Sequence, residues 1–499
     1  MKRFLATGVA CLAMANAVQA QEAAGAEPTL PMNQPRDWSA TLIQDATGLH
    51  DIMIDSHPGT HDPLNPAFRP RLEEGLTVAL ERAKTTTDAG GWWWALRAYV
   101  ASFEDGHVGI SITQPNYGFA TRWPGFLTVY RGADQVVADR DADAAAPPLG
   151  ARLIDCDGVA AEPLAEQRIG QFRGRWFLEA QRVLYGDWQF LSAHNPWISE
   201  MRQCRFEADG ATQVYALNWR ATPEDIYARR AKLAQTASTD FGLKHFDDGG
   251  FWISTPSFNG DPSGQIHAQL TALLADMKAK QEALRLAPYV VLDLRGNGGG
   301  SSHWSQLMAQ ILWGDDWMAA HPEPEIEAVE WRASDDNIAQ IAAFLEQLRA
   351  SNGLPEYIAW AETALTGMKA AQAAGQVYWR SADEEAPKNA PTPSPPQLMA
   401  GRVYVLTDPR CGSACLDAVD LWKTAGGIQI GRETSADTVY MDVRNPVLPS
   451  GLAQIAVPMK VYRGRARGNN EPQRPSYVIE GDMTDDAALL TSIRRLQPN

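Results

Sequence analysis

Residues 289–300 read Tyr-Val-Val-Leu-Asp-Leu-Arg-Gly-Asn-Gly-Gly-Gly, and this stretch decides the fold class. Tyr289 to Leu294 is a short apolar run of the kind buried on both faces of a sheet, and the glycines after Arg295 end it. A helical period follows, with Trp304, Leu307, Met308, Ile311 and Leu312 on one face. Upstream, Gln265 to Ala287 places Ile266, Leu270, Leu273, Leu274 and Met277 on one helical face. Downstream, Val403-Tyr-Val-Leu-Thr407 reads as a second strand, then the loop Asp408-Pro-Arg-Cys-Gly-Ser-Ala-Cys415 and a helix from Leu416 to Ala425. This alternation of strand and helix predicts an α/β core over 251–485 with a partly parallel sheet.

The flanking chain has other textures. Residues 314–400 interrupt the alternation with helical segments and end in the Pro-rich 387–396, an insertion that either covers a cleft or only elaborates the surface. Residues 36–112 carry apolar residues at helical spacing (Leu42, Ala46, Leu49, Ile52, Met53), broken by a Pro and Gly turn around Pro58 to Pro70, and predict an N-terminal helical domain. Residues 113–250 hold short alternating runs such as Phe126-Leu-Thr-Val-Tyr130 and Val214-Tyr-Ala-Leu-Asn-Trp219, which predict a β-rich region with a helix near 222–235. Within it, Pro148-Leu-Gly-Ala-Arg-Leu-Ile-Asp-Cys-Asp-Gly158 resembles the strand-turn segment of PDZ modules, and reads equally well as an ordinary β-hairpin.

Hydrophobic residues at 45% and charged residues at 21% of 499 describe an ordinary globular chain. A net charge of −16 lacks the basic footprint that phosphate contacts need, so nucleic acid is set aside as a partner. Lys2 and Arg3, the apolar Phe4 to Val18 and the small residues of Val18-Gln19-Ala20 read as a signal peptide over 1–20, with an Ala, Glu, Pro and Gln-rich linker at 21–35. No later run approaches the roughly 18 apolar residues of a membrane span, so a periplasmic or secreted protein is expected. Of the five cysteines, Cys11 leaves with the signal. The other four suit an oxidising compartment, and proximity favours Cys411–Cys415, leaving Cys156–Cys204. Their spacing lacks a zinc pattern and no dinucleotide loop occurs, so neither a metal nor an organic cofactor is expected.

Two loops carry chemistry. Arg295-Gly-Asn-Gly-Gly-Gly300, between strand and helix, can converge backbone N–H groups on an anion or a developing oxyanion, or serve only as a tight turn needing positive φ. Ser413 sits at or just before a helix N-terminus, where it is either a nucleophile favoured by the helix dipole or a common N-cap.

The ordered set Val290-Val-Leu-Asp-Leu-Arg-Gly-Asn-Gly-Gly-Gly300, Cys411-Gly-Ser-Ala-Cys415, Ile430-Gly-Arg-Glu-Thr434 and Leu448-Pro-Ser-Gly-Leu452 resembles the tail-specific, or C-terminal processing, serine peptidase family. The resemblance implies a crotonase-like ββα core, Ser413 as nucleophile, an oxyanion hole from the N–H groups of Ala414 and of Gly298 or Gly299, and Asp293 and Arg295 as braces of the glycine loop. One branch of the family uses a lysine in a Thr-x-Gly-Lys stretch. Here that stretch is Thr434-Ser-Ala-Asp437, without lysine. The tricorn-like branch takes a histidine from an Asp-Gly-His motif, which His107 in Glu104-Asp-Gly-His-Val108 matches as general base. Glu471 in Asn469-Asn-Glu-Pro-Gln-Arg-Pro475 resembles that branch's supporting glutamate, with two departures: Gly106 stands where the relay serine would be, and Ser476 where the motif has Asp. Asp105, Glu433 and Asp437 are the other acids for orienting the imidazole, and a two-residue Ser–His site is the remaining alternative. Arg463, Arg465, Arg467 and Arg474 either attract a substrate carboxylate or form a solvated strand face.

The function implied is a serine-type peptidase hydrolysing a polypeptide substrate through an acyl-enzyme at Ser413. A non-catalytic protein on the same fold, binding peptide, glycan or lipid, and a serine hydrolase of non-peptide esters or amides are the competing readings.

Overall fold

A computed structural model describes residues 31–142, 145–233, 240–261, 264–322, 326–351, 355–381 and 395–496. The expected signal peptide, most of the linker and nearly all of the Pro-rich tract lie outside the described residues. The rest form two compact units: an N-terminal unit of 31–233 with 445–458, and a C-terminal unit of 240–444 with 459–496.

In the C-terminal unit a six-stranded sheet runs in the order Gly242–His245, Phe251–Ser254, Tyr289–Asp293, Arg402–Thr407, Ile428–Gly431, Tyr477–Val478. The first strand joins antiparallel and the others are parallel. Tyr289–Asp293 is buried throughout, as the centre of a parallel sheet covered on both faces must be. Its side chains alternate between two cores. Val290 and Leu292, with Val403 and Val405, meet Leu270, Met277, Met308, Leu416 and Trp422 of the helices on one face. Tyr289 and Val291, with Tyr404 and Leu406, meet Ile430, Leu489 and Ile493 on the other. The helix expected over 265–287 is two, Gln265–Ala279 and Gln281–Leu286, parted where Lys280 leaves helical geometry at φ −106° and ψ 15°.

The stretch 314–400, read above as helical, is mixed. It holds helices Asp315–Ala320, Asp335–Ala350 and Pro355–Ala373, and also strands Ala328–Arg332 and Tyr378–Ser381. Ala328–Arg332 pairs antiparallel with Tyr378–Ser381 and with the second half of Ala453–Arg463, burying Val329 and Trp331 against Ile338, Ile341, Ala364 and Met368. Five residues between helices show too few alternations to be read as a strand from pattern alone.

The N-terminal unit contains helices Trp38–Ser56, Phe68–Ala83 and Ala89–Ala101, whose Leu42, Leu49, Met53, Leu72, Trp92 and Leu96 are buried. An antiparallel sheet follows in the order Phe126–Arg131, Asp134–Arg140, Arg152–Cys156, Gln203–Ala208, Ala211–Ala216. The segment 148–158 enters a tight hairpin: Asp157 and Gly158 both take positive φ between Arg152–Cys156 and Val159–Ala160. Cys156 lies opposite Cys204 and is disulfide-bonded to it, with a Cα separation of 4.0 Å. Between 161 and 190 the region read above as β-rich also holds a continuous helical stretch, Ala161–Ala165, Glu166–Gly170 and Gln171–Arg173, whose middle is a π-helical turn, and the helix Glu179–Tyr185.

Residues 445–458 complete this unit. Gly109–Ile112 pairs antiparallel with Ala453 to Ala456. Asp45, fully buried, accepts hydrogen bonds from the Ser450 N–H (2.8 Å), the Ser450 hydroxyl (2.7 Å) and Trp92 Nε1 (2.8 Å).

Candidate active site

Tyr289–Asp293 and Arg402–Thr407 are neighbouring parallel strands, so the loops that leave their C-terminal ends emerge side by side. Arg295 begins the first loop, fully buried. Its Nε and Nη2 donate to the two oxygens of Asp293 at 2.9 and 2.6 Å, Nη1 donates to the Met483 carbonyl at 2.6 Å, and Nη2 also reaches Asp486 at 2.7 Å. Burial opposes the guanidinium charge, but the bonds to Asp293 and Asp486 outweigh it and hold the pKa above its ordinary value. Asp293 is further held by Trp252 Nε1 at 3.0 Å. The base of the loop is therefore pinned to the sheet and to the start of the last helix.

Asn297 fixes the rest. Its Nδ2 donates to the Thr255 carbonyl at 2.7 Å, its Oδ1 accepts the Gly299 N–H at 2.9 Å, and its carbonyl accepts the Gly412 N–H at 3.3 Å. The Gly299 N–H is thus engaged inside the loop.

Ser413 opens the helix Ala414–Thr424 at φ 53° and ψ −127°, a conformation that costs a non-glycine residue roughly 1–3 kcal/mol. Its hydroxyl makes no cap to the helix, which removes the N-cap reading. The turn is closed by Cys411 N–H to Asp408 O (3.1 Å), Cys415 N–H to Gly412 O (3.1 Å) and Leu416 N–H to Ser413 O (2.8 Å), and by the Cys411–Cys415 disulfide. Gly299 presses against it. A Cβ there would stand 2.7 Å from Gly412 O, 2.8 Å from Ser413 Cβ and 2.9 Å from the Ala414 nitrogen, and its φ is +101°. Only glycine lets the loop approach the serine this closely.

Beneath the helix, Arg467 Nη2 donates to Asp417 (2.8 Å), Nε to Asp420 (3.0 Å) and Nη1 to Asp437 (2.5 Å), while Ser302 Oγ donates to the other oxygen of Asp417 (2.8 Å). Arg465 also pairs with Asp437, at 3.1 Å. Asp437, which stands where the dyad branch has its lysine, is thus paired to two arginines, and neither arginine is a solvated strand face. Glu433 is held by Arg474 at 3.0 Å. Glu471 is exposed and accepts the Gly468 N–H at 2.8 Å, closing its own loop.

Ser413, Gly298, Gly299, Ala414, Asp293, Arg295 and Glu471 all belong to the C-terminal unit, and His107 to the N-terminal one. There, Asp105 is 7% exposed. Its Oδ1 accepts the His107 N–H at 2.8 Å and lies 3.9 Å from His107 Nδ1, a buried nitrogen without a hydrogen-bond partner among the described residues. Its Oδ2 lies 3.9 Å from Nε2 of a second histidine, His57. His57 is fully buried and stacked on Phe68, and its Nδ1 accepts the Gly59 N–H at 2.9 Å, so the proton sits on the nitrogen facing Asp105. Burial pushes its pKa down to about 3, which keeps the ring neutral. No sequence signal pointed to His57. Beside Gly106, which stands in place of a relay serine, lies the Arg175 guanidinium, 2.8 Å from where a Cβ would be.

Among the described residues no group of three or more His, Cys, Asp or Glu could hold a metal ion, and no helix is long and apolar enough to cross a membrane. No protein-family model and no curated protein matches the chain. Its fold is similar to that of solved structures. Mature CPAF aligns over 88% of this chain and 93% of its own, with a TM-score of 0.56 at 12% identity. CPAF complexed with lactacystin aligns over 92% and 98%, with a TM-score of 0.55 at 12% identity. The tricorn protease aligns at a TM-score of 0.38 and 13% identity over 92% of this chain and 37% of its own, too remote to bear on the fold.

Proposed function

We propose that the chain is a serine-type peptidase of the tail-specific kind, acting on polypeptide in the periplasm or outside the cell. Ser413 is the nucleophile, His107 its general base, and the N–H groups of Ala414 and Gly298 the oxyanion hole. Gly298 is preferred to Gly299 because the latter's N–H already donates to Asn297. Asp105 orients His107, being the carboxylate beside the unpartnered Nδ1, and Glu471 is the weaker choice because it is turned to Gly468. The observation that carries the reading is the strained, uncapped Ser413 at a helix N-terminus with a glycine backbone pressed against it, the form in which a serine hydroxyl is presented for acyl transfer. The likeness to CPAF over most of both chains supports it at the level of fold.

The chemistry follows from these parts. His107 takes the Ser413 proton as Oγ attacks the carbonyl, the two N–H groups stabilise the oxyanion, and the imidazolium returns the proton to the leaving amine. Water repeats the sequence on the acyl-enzyme.

A fluorophosphonate probe with intact-mass readout tests this. Wild-type protein is expected to gain one adduct, and Ser413→Ala none. A folded wild type that stays unlabelled would sink the proposal and favour the binding-protein reading. Reducing Cys411–Cys415, or replacing both by serine, is expected to slow labelling about tenfold by loosening the turn, with the thermal melt still cooperative. An unchanged labelling rate would show that the bond does not hold the serine.

A further inference from the structure

We propose that Asp408 is a positioning residue that clamps the glycine loop to the nucleophile turn, and that its ionised carboxylate is the form that does so. The inference rests on the serine-hydrolase reading of Ser413. Asp408 is fully buried at the end of strand Arg402–Thr407. Its Oδ2 accepts the Gly296 N–H at 3.0 Å and its Oδ1 the Arg410 N–H at 2.9 Å. Gly296 belongs to the loop that carries Gly298, and Arg410 to the turn that carries Ser413 and Ala414. One carboxylate thus spans the two backbone segments whose N–H groups must converge on a single oxygen.

Protonation turns one carboxyl oxygen into a hydroxyl, a poorer acceptor for an N–H, so the neutral acid holds one segment well and releases the other. Asparagine has the same defect, since its NH₂ faces a donor. The charged groups around Asp408 are Asp293 on the neighbouring strand, which repels it, Arg295, which neutralises Asp293 through two bonds, and the exposed Arg410, which attracts it. Cys411, whose N–H donates to the Asp408 carbonyl, is disulfide-bonded and does not titrate. Burial, opposed by the two backbone N–H donors, pushes the pKa up to about 6. The clamp is therefore closed above about pH 6 and opens below it.

Asp408→Asn tests this through pH profiles of kcat and KM and through labelling rates. The variant is expected to lose about tenfold or more in kcat with KM within about threefold, because positioning of the reacting groups is lost and not substrate affinity. Asp408 protonates on the acid side of the wild type, so the acid limb of log kcat/KM is expected to be steeper there than in Asp408→Asn, which has lost that group. On the inactive Ser413→Ala background, amide exchange of 295–300 is expected to rise when Asp408→Asn is added, with the strands still protected. Wild-type turnover and an unchanged acid limb in Asp408→Asn, beside normal Ser413 labelling, would overturn the clamp and leave the hydrolase reading standing. Failure of wild-type labelling would sink the hydrolase reading, and the exchange comparison would still decide whether Asp408 joins the two loops.

Discussion

Gly299→Ala is expected to reduce fluorophosphonate labelling and kcat/KM by about 10²–10³-fold, the scale of losing an oxyanion donor, while the protein stays folded. The methyl would need space 2.7–2.9 Å from Gly412 O, Ser413 Cβ and the Ala414 nitrogen, and none of these is the end of a flexible side chain. Relief must come from moving the nucleophile turn or the loop, and either movement separates the Ala414 and Gly298 N–H groups. Gly298→Ala is the matched control. Its Cβ would meet nothing within 4 Å, its φ is not positive, and the substitution keeps the N–H, so the loop keeps its place and the loss should be smaller than in Gly299→Ala. Labelling of Gly299→Ala at the wild-type rate would refute the assignment of this loop to the oxyanion hole.

His107→Ala is expected to cost about 10³–10⁴-fold in kcat/KM, since a general base and the acid that protonates the leaving group are lost together. Asp105→Asn should cost about 10–10²-fold: the carboxylate lies 3.9 Å from Nδ1, so it steers the ring without a short hydrogen bond. Glu471→Gln should leave kcat/KM within about threefold, because that side chain is exposed and serves its own loop. Steady-state kinetics on one peptide substrate decides the matter. A large loss in Glu471→Gln with Asp105→Asn unaffected would transfer the orienting role to Glu471.

The central strands were legible because a parallel strand covered on both faces leaves an unbroken apolar run, as in Tyr289 to Leu292. The helix after Ser413 announced itself by period. What escaped was long-range or short. Ala328–Arg332 has five residues and takes its partners from 378–381 and from the far end of the chain, so nothing local marks it. Asp408 looks like a turn residue before Pro409, and its bond to Gly296 spans 112 positions. His57 looks like the cap of a short turn, which it also is. The motif placed Asp437 at the vacant lysine position, and its bonds to Arg465 and Arg467 follow from packing that a linear pattern does not encode.

The assignment of 445–458 to the N-terminal unit has a consequence for the order of events during biosynthesis. A ribosome that has finished residue 233 has released a unit still lacking the strand opposite Gly109–Ile112 and the two Ser450 donors of Asp45. At ~5–20 residues per second, roughly ten to forty seconds pass before those residues are made. During that interval an unpaired strand and a buried carboxylate short of partners disfavour a finished N-terminal unit. By the same reasoning, a fragment ending near residue 233 should behave as an aggregation-prone intermediate.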